Sequence, residues 1–550
     1  MSLAADPPVN IAAALTRQAE ARPDGIALII PRRRGDGWQD VRYSYLELDQ
    51  LSSRLASGLV NSGIGKGARV AFMVPPSLEF FALFFALFKA GCVPVLIDPG
   101  IGLRPLRKCL GEAQPQAFIG ITRAQVARLV LGWARESIKK VVTVGPRLGW
   151  GGVRYSKLAE AEPLGDPVEV APDDPAAILF TSGSTGIPKG VVYRHRHFAA
   201  QVELVRDSYN MQPGEVDLPT FPPFALFDPA LGMATVIPPM DFTRPARVDP
   251  GMLVSLIERY QVTNLFGSPA LINTLGRHLA ANQIRLPTLR RALSAGAPVS
   301  PQVLGRLLPA LADEADVHTP YGATEVLPVA TVSGRQLLAG LSDGHRRGKG
   351  VCVGRPLAAN RVAIITIDDG PLERLEDAET LAPGQIGEIC VSGPTVTDCY
   401  YQRPEQTALA KCHDAEGRLW HRMGDLGWMD DEGRLWFCGR KSERVRTAEG
   451  ELYTEPVEGR MNQVPGVYRS ALVGVGVPGA QRPVLCIELE PGADRDRVAQ
   501  ATLEFARGAS ETRSIETVLV HRGFPVDIRH NAKIRRAELA CWAARRLARG

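Results

Sequence analysis

Short unbroken apolar runs alternate with longer, helix-length segments through the first 180 residues. Residues 11–30 read as a helix followed by extended chain. Ser44 and Glu47 carry a Ser-x-x-Glu capping signal, which predicts a helix from there to about Ser62. Val70-Ala71-Phe72-Met73-Val74 reads as a buried strand, and Pro75-Pro76-Ser77 opens a helix through the aromatic run Phe80 to Phe88. Val93 to Ile97 is the next strand, closed by the turn Asp98-Pro99-Gly100. Further strands are predicted at Phe118-Ile119-Gly120, Val141-Val142-Thr143-Val144 and Ala176-Ala177-Ile178-Leu179-Phe180. Helix and strand in alternation predict the α/β class, with a doubly wound, largely parallel sheet. Ligands in such folds sit beyond the carboxyl ends of the strands.

The aromatic run raises the question of a membrane. It is interrupted by Lys89, Gly91 and Pro94, well short of the roughly 20 apolar residues that span a bilayer. A buried helix is expected, and no transmembrane segment. The N-terminus lacks the basic and apolar regions of a signal peptide. At 550 residues the chain exceeds one compact core, so more than one domain is expected. Its 64 basic and 59 acidic residues are too balanced for nucleic acid to be the main partner. Nine cysteines, odd in number and without Cys-x-x-Cys spacing, argue against a zinc site or a disulfide framework. A reducing, cytoplasmic compartment fits them.

The stretch Thr181-Ser182-Gly183-Ser184-Thr185-Gly186-Ile187-Pro188-Lys189-Gly190 follows one of the predicted strands. Glycines allow close backbone approach, the hydroxyls donate, and Lys189 supplies a cation, which together suit a polyphosphate. The spacing is not that of a Walker A loop. A flexible Ser/Gly loop without a ligand is the plainer reading. Other segments follow in order: Phe221 to Phe227, Val262 to Pro269, Leu293 to Pro298, Tyr321-Gly322-Ala323-Thr324-Glu325, Trp420 to Gly427, and Gly433 to Arg440. Residues 441–460 are rich in charge, and the remainder from about Val464 is short enough for a separate α+β lid.

These segments, in this order, resemble the adenylate-forming superfamily of acyl-CoA synthetases, luciferases and nonribosomal peptide adenylation domains. The resemblance covers nearly the whole chain. It implies a large N-terminal domain of βαβ-type sheets, residues 1–440, and a small mobile α+β C-terminal domain, residues 441–550. It also implies that a carboxylate and ATP form an acyl adenylate and pyrophosphate, with Mg²⁺ as cofactor. Thr181, Ser182, Gly183, Ser184, Thr185, Gly186 and Lys189 would hold the departing phosphates. Gly296, Ala297 and Pro298 would line the adenine site, with Tyr321 stacked on the ring, and Gly322 would also belong to the ATP/AMP-binding set. Thr324 would contact the α-phosphate and Glu325 would hold Mg²⁺, which often takes one or two carboxylates plus phosphate oxygens. Asp425 would accept from the ribose hydroxyls, and Arg440 would contact ribose or phosphate. Lys533 would bridge the attacking carboxylate and the α-phosphate. Taken singly, Asp425 also reads as a turn aspartate, Glu325 as a surface acid, and Lys533 as one charge on an amphipathic helix.

Departures from the superfamily pattern bear on the second half-reaction. Ser442 stands where CoA ligases usually carry Asp or Lys, and the following loop to Gly450 is one residue longer. The Phe224 to Asp228 region lacks the histidine frequent in acyl-CoA ligases. The segment Arg529-His530-Asn531-Ala532-Lys533-Ile534 is similar to the β-lactone synthetases of bacterial long-chain olefin biosynthesis. That resemblance implies a 2-alkyl-3-hydroxyalkanoic acid substrate whose own β-hydroxyl displaces AMP. It also implies association with a thiolase-like enzyme, a reductase and a decarboxylase of one pathway. Arg545, Arg546 and Arg549 with Trp542 offer a contact for a membrane or multienzyme assembly, to which the chain would be peripheral, with a plain surface helix as the default reading. His195 and His530 are candidates for the base. Phe224, Leu226, Phe227, Leu231, Met233 and Ile237 would suit an alkyl chain, although any α/β core needs such residues. Gly344 to Gly350 reads as a solvated basic loop. A long-chain fatty acyl-CoA or acyl-AMP ligase is the alternative function, and a non-catalytic nucleotide-binding scaffold the third.

Overall fold

A computed structural model describes residues 9–35, 37–180, 188–526 and 534–548. Among these, the strands form sheets of fourteen, seven, three and two. The seven-stranded sheet is the βαβ part that the early alternation predicts. Its strands, including Arg69–Met73, Val93–Ile97, Ala117–Ile121 and Pro175–Phe180, are all parallel up to the last pair. There Gly190–Arg194 returns antiparallel to Pro175–Phe180. The helix Leu78–Lys89 is buried at every position from Phe80 onward. It packs between sheet and helices rather than in lipid, and no helix among the described residues is long and apolar enough to cross a membrane. Ser44 and Glu47 close a reciprocal capping box at the start of helix Tyr45–Asn61, as the spacing predicts.

The fourteen-stranded sheet departs from a doubly wound pattern. Its first half is mainly parallel, through Val216–Pro219, Asn264–Phe266, Arg291–Leu293 and Asp316–Ala323. From Asp316 onward every strand pairing is antiparallel. For the first antiparallel pair the reason lies in the connection. A parallel crossover needs a dozen or more residues, whereas antiparallel neighbours can be joined by a tight turn. Asp316–Ala323 and Val326–Ser333 are separated by Thr324 and Glu325 alone. Two motif residues therefore form the tip of a hairpin.

Gly344 to Gly350 is not a solvated loop. Ser342–Arg346 is a short helix, and Gly344 lies so close to the Trp436 ring that any side chain there would collide with it. From Val445 onward the chain builds its own sheet, Val467–Val475, Arg482–Leu489 and Thr517–Val520. Two apolar clusters run through that region, and among the described residues neither shares a member with the rest of the chain.

Candidate functional site

Three hairpin or strand ends converge on one place. The tip Thr324–Glu325 is fixed from behind by Thr397, whose backbone N–H and Oγ1 donate to the Glu325 carbonyl at 2.9 and 3.0 Å. Tyr193 Oη donates to the Thr324 carbonyl at 2.6 Å. The Glu325 side chain accepts from Tyr400 Oη at 2.5 Å through Oε1. Its other oxygen carries no hydrogen bond among the described residues. Tyr400 is anchored in turn: Tyr401 N–H donates to the Gly190 carbonyl at 2.7 Å, and Val192 N–H to the Cys399 carbonyl at 3.2 Å. The strand leaving the Ser/Thr/Gly stretch is thereby sewn to the segment that holds Glu325. Lys189 Nζ consequently sits 4.2 Å above the Tyr400 ring.

Asp425 lies on strand Leu419–Met429, directly opposite Arg440 of strand Leu435–Arg440. It is 4% exposed, so it is no surface turn aspartate. Arg440 Nη1 donates to Oδ1 at 2.5 Å and Tyr321 Oη donates to Oδ2 at 2.6 Å. The Asp425 charge beside it raises the Arg440 guanidinium pKa, and burial first, then Asp425, pushes the Tyr321 phenol well above its ordinary range. A carboxylate has about four acceptor positions, so two remain for a diol. Gly322 cannot carry a side chain, since a Cβ would press on the Val326 carbonyl.

Gly296, Ala297 and Pro298 follow strand Arg291–Leu293, beyond its carboxyl end. Gly296 has φ 96°, a left-handed conformation that glycine adopts without strain. Beside that strand end lies an aromatic group: Phe224 stacks near Phe266 with ring centroids 4.4 Å apart and near Phe221 at 5.4 Å. Phe224, Phe227, Leu231 and Met233 share one apolar cluster with Phe266 and Leu293. Leu226 and Ile237 belong instead to the core around the aromatic helix.

Thr181, Ser182, Gly183, Ser184, Thr185 and Gly186 lie outside the described residues, as do His530 and Lys533. His195, the other histidine candidate, lies within the described residues. It is 1% exposed at the start of helix His195–Tyr209, with its ring 6.1 Å from that of Phe88. Burial pulls its pKa down to about 4. His197 Nδ1 accepts from Arg194 N–H at 3.0 Å, a local structural bond. Tyr400 and Lys411 go unmarked in the sequence, because an isolated tyrosine or lysine carries no spacing signal.

Lys189 and Arg440 stand near Glu325 and Asp425, and burial lowers the Lys189 pKa while Glu325 opposes the shift. Among the described residues no group of three or more His, Cys, Asp or Glu could cage a metal. One carboxylate with a free oxygen is instead what a magnesium shared with phosphate oxygens would use.

Residues 15–401 match the AMP-binding enzyme family. The olefin beta-lactone synthetase of Stenotrophomonas maltophilia is 54% identical over 98% of this chain and 99% of its own. That of Xanthomonas campestris is 55% identical over 97% of each. A long-chain-fatty-acid–CoA ligase of Escherichia coli is 25% identical over 82% of each. Among solved structures, ATP-bound MatB of Rhodopseudomonas palustris superposes with a TM-score of 0.78 at 23% identity, covering 98% of this chain and 99% of that one. The amide bond synthetase McbA of Marinactinospora thermotolerans gives 0.77 at 23% identity over 97% and 99%. These two likenesses establish the fold.

Proposed function

The chain belongs to the AMP-binding enzyme family, and from that premise we propose that it activates a long-chain 2-alkyl-3-hydroxyalkanoic acid with ATP and closes it to a β-lactone. The observation that carries this reading is near-full-length identity above one half to two olefin beta-lactone synthetases. The site is consistent with it. In the first step a carboxylate oxygen bonds to the α-phosphorus and pyrophosphate leaves. In the second the substrate's β-hydroxyl oxygen bonds to the acyl carbon, its proton is lost, and AMP departs. Both steps bring anions or a strained ring together, so positioning and charge neutralisation supply the catalysis.

Asp425 would take the ribose diol on the acceptor positions that Tyr321 and Arg440 leave open. Gly296, Ala297, Pro298, Gly322 and Tyr321 would line the base. Thr324 at the hairpin tip would meet the α-phosphate, and Lys189 with the stretch 181–186 would hold the leaving pyrophosphate. Glu325 is the residue that would hold Mg²⁺, whose role when bound is to neutralise phosphate charge. The aromatic group of Phe221, Phe224 and Phe266 at the strand ends would receive an alkyl chain. Residues 441–550 would act as a mobile domain carrying Lys533 to the reacting carboxylate. A cytoplasmic location and contact with other enzymes of olefin synthesis belong to the same proposal.

The test is product identification. The protein is incubated with ATP, Mg²⁺ and a long-chain 2-alkyl-3-hydroxy acid, with and without CoA. A β-lactone and AMP formed without CoA are expected. Acyl-CoA formed only when CoA is present would replace the lactone reading with an acyl-CoA ligase. No AMP from any carboxylic acid would leave a nucleotide-binding scaffold.

A further inference from the structure

Lys411 opens the short strand Lys411–His413, opposite His421 of strand Leu419–Met429. Its side chain is buried, and among the described residues its Nζ has no hydrogen-bond partner. An ammonium has three donors and is strongly hydrated, so holding it dry and unbonded is costly unless a charge compensates. The carboxylates that act on it most strongly are Glu325 and then Asp398. Asp398 is already claimed by Arg194 and Arg196. Glu325 is shared with Lys189.

Lys411, Lys189 and Arg440 all bear on one buried imidazole, that of His421, and with burial keep it neutral. Lys411 is the cross-strand partner of His421, four residues before Asp425, whose own cross-strand partner is Arg440, and Lys189 lies over the Tyr400 ring that holds Glu325. Glu325 and Asp425 oppose them, and among the described residues only Arg440 of the three makes an ion pair. Three positive charges against two leave an excess that an anionic ligand would balance.

We propose that Lys411 is a buried positioning residue for ATP, its fixed charge behind Glu325 and Lys189 supplying the potential that holds the triphosphate. This rests on the reading of Lys189 and Glu325 as the phosphate end of the site. A charge there acts on the β- and γ-phosphates, which AMP lacks. The experiment is calorimetric titration of the full chain with Mg·ATP and with AMP at pH 7. Lys411→Met should weaken ATP about tenfold and AMP by less than about threefold. Lys411→Arg, which keeps the charge, should restore ATP binding to within about threefold. A merely structural residue would lower both affinities together. Equal losses, or no loss, in a folded Lys411→Met protein would overturn the proposal. Should that variant fail to fold, Lys411→Gln is judged by the same criterion. Lys189→Met is the control for the underlying reading. If it loses ATP selectively while Lys411→Met does not, the phosphate end stands and only the role of Lys411 falls.

Discussion

The two carboxylates of the site are each held by a phenol, Asp425 by Tyr321 and Glu325 by Tyr400. Hydrogen bonds to an ionised acceptor are short and strong, and they fix direction as well as distance. Tyr400→Phe keeps the ring under Lys189 and removes only that restraint. Acyl-adenylate formation, read by ATP–pyrophosphate exchange, should fall about tenfold, while unfolding free energy changes by only ~1 kcal/mol. Undiminished exchange would show that Glu325 needs no such anchor. Asp425→Asn replaces one carboxylate oxygen, proposed above to accept from ribose, with a donor facing Arg440. A loss of at least about 10² in the same assay is expected. His195 gives a prediction about pH. Its folded pKa of about 4 lies below the ordinary 6.5, so between those values the unfolded chain binds more protons. The His195 contribution is therefore complete above pH 6.5 and is lost as pH falls toward 4, up to about 3 kcal/mol. Urea midpoints measured from pH 4 to 7 should show a shallower acid limb in His195→Gln than in wild type. Parallel limbs would contradict the assignment. Asp425 and Glu325 are legible in the sequence because each belongs to a short motif. Tyr400 and Lys411 are not, because what defines them is contact with Glu325 some 75 residues away for Tyr400, and burial beside it for Lys411.

At the scale of elements, local signals hold where local physics decides. The capping box at Ser44 and the strands before residue 180 follow from spacing and apolar runs. The stretch Gly344 to Gly350 reads as loop because glycines and basic residues dominate it. Its helix is stabilised by distant partners instead: His345 Nε2 lies 3.3 Å from Glu455 Oε2, and Gln463 Nε2 donates to the Arg346 carbonyl at 2.5 Å. The antiparallel half of the large sheet is likewise hidden until the two-residue connection at Thr324–Glu325 is recognised as a hairpin. Gly439 shows how tightly that half is built around the site. It has φ 122°, and a Cβ there would meet Thr454 Oγ1. Gly439→Ala should cost about 2 kcal/mol through left-handed strain and displacement of helix Thr454–Met461. Because Arg440 is the next residue, ATP affinity should fall with it. An unchanged urea midpoint would show that the backbone relaxes at this position.

Across the whole molecule, a set of ion pairs joins residues on the two sides of position 440. Lys441 Nζ lies 2.8 Å from Glu388, Arg444 2.9 Å and Arg446 2.8 Å from the one Asp369 carboxylate, and His345 faces Glu455. The apolar clusters beyond Val445 are their own. Separate cores joined by ion pairs are what a mobile C-terminal domain would need, and the proposed delivery of Lys533 to the reacting carboxylate would require such motion. Asp369 is half exposed, so its pairs are open to screening by salt. Asp369→Ala removes the partner of two arginines at once without touching either core. Hydrogen exchange of peptides spanning Lys441 to Glu451 should quicken in this variant at low salt, by a few-fold. Raising salt to about 0.5 M should bring wild type toward the same rate. Peptides from the aromatic helix Leu78–Lys89, buried in a different apolar cluster, should not change. If junction peptides of wild type and variant exchange alike at every salt concentration, the ion pairs do not hold the C-terminal body in place. The restraint would then have to come from other contacts across residue 440, such as Gly439 against Thr454.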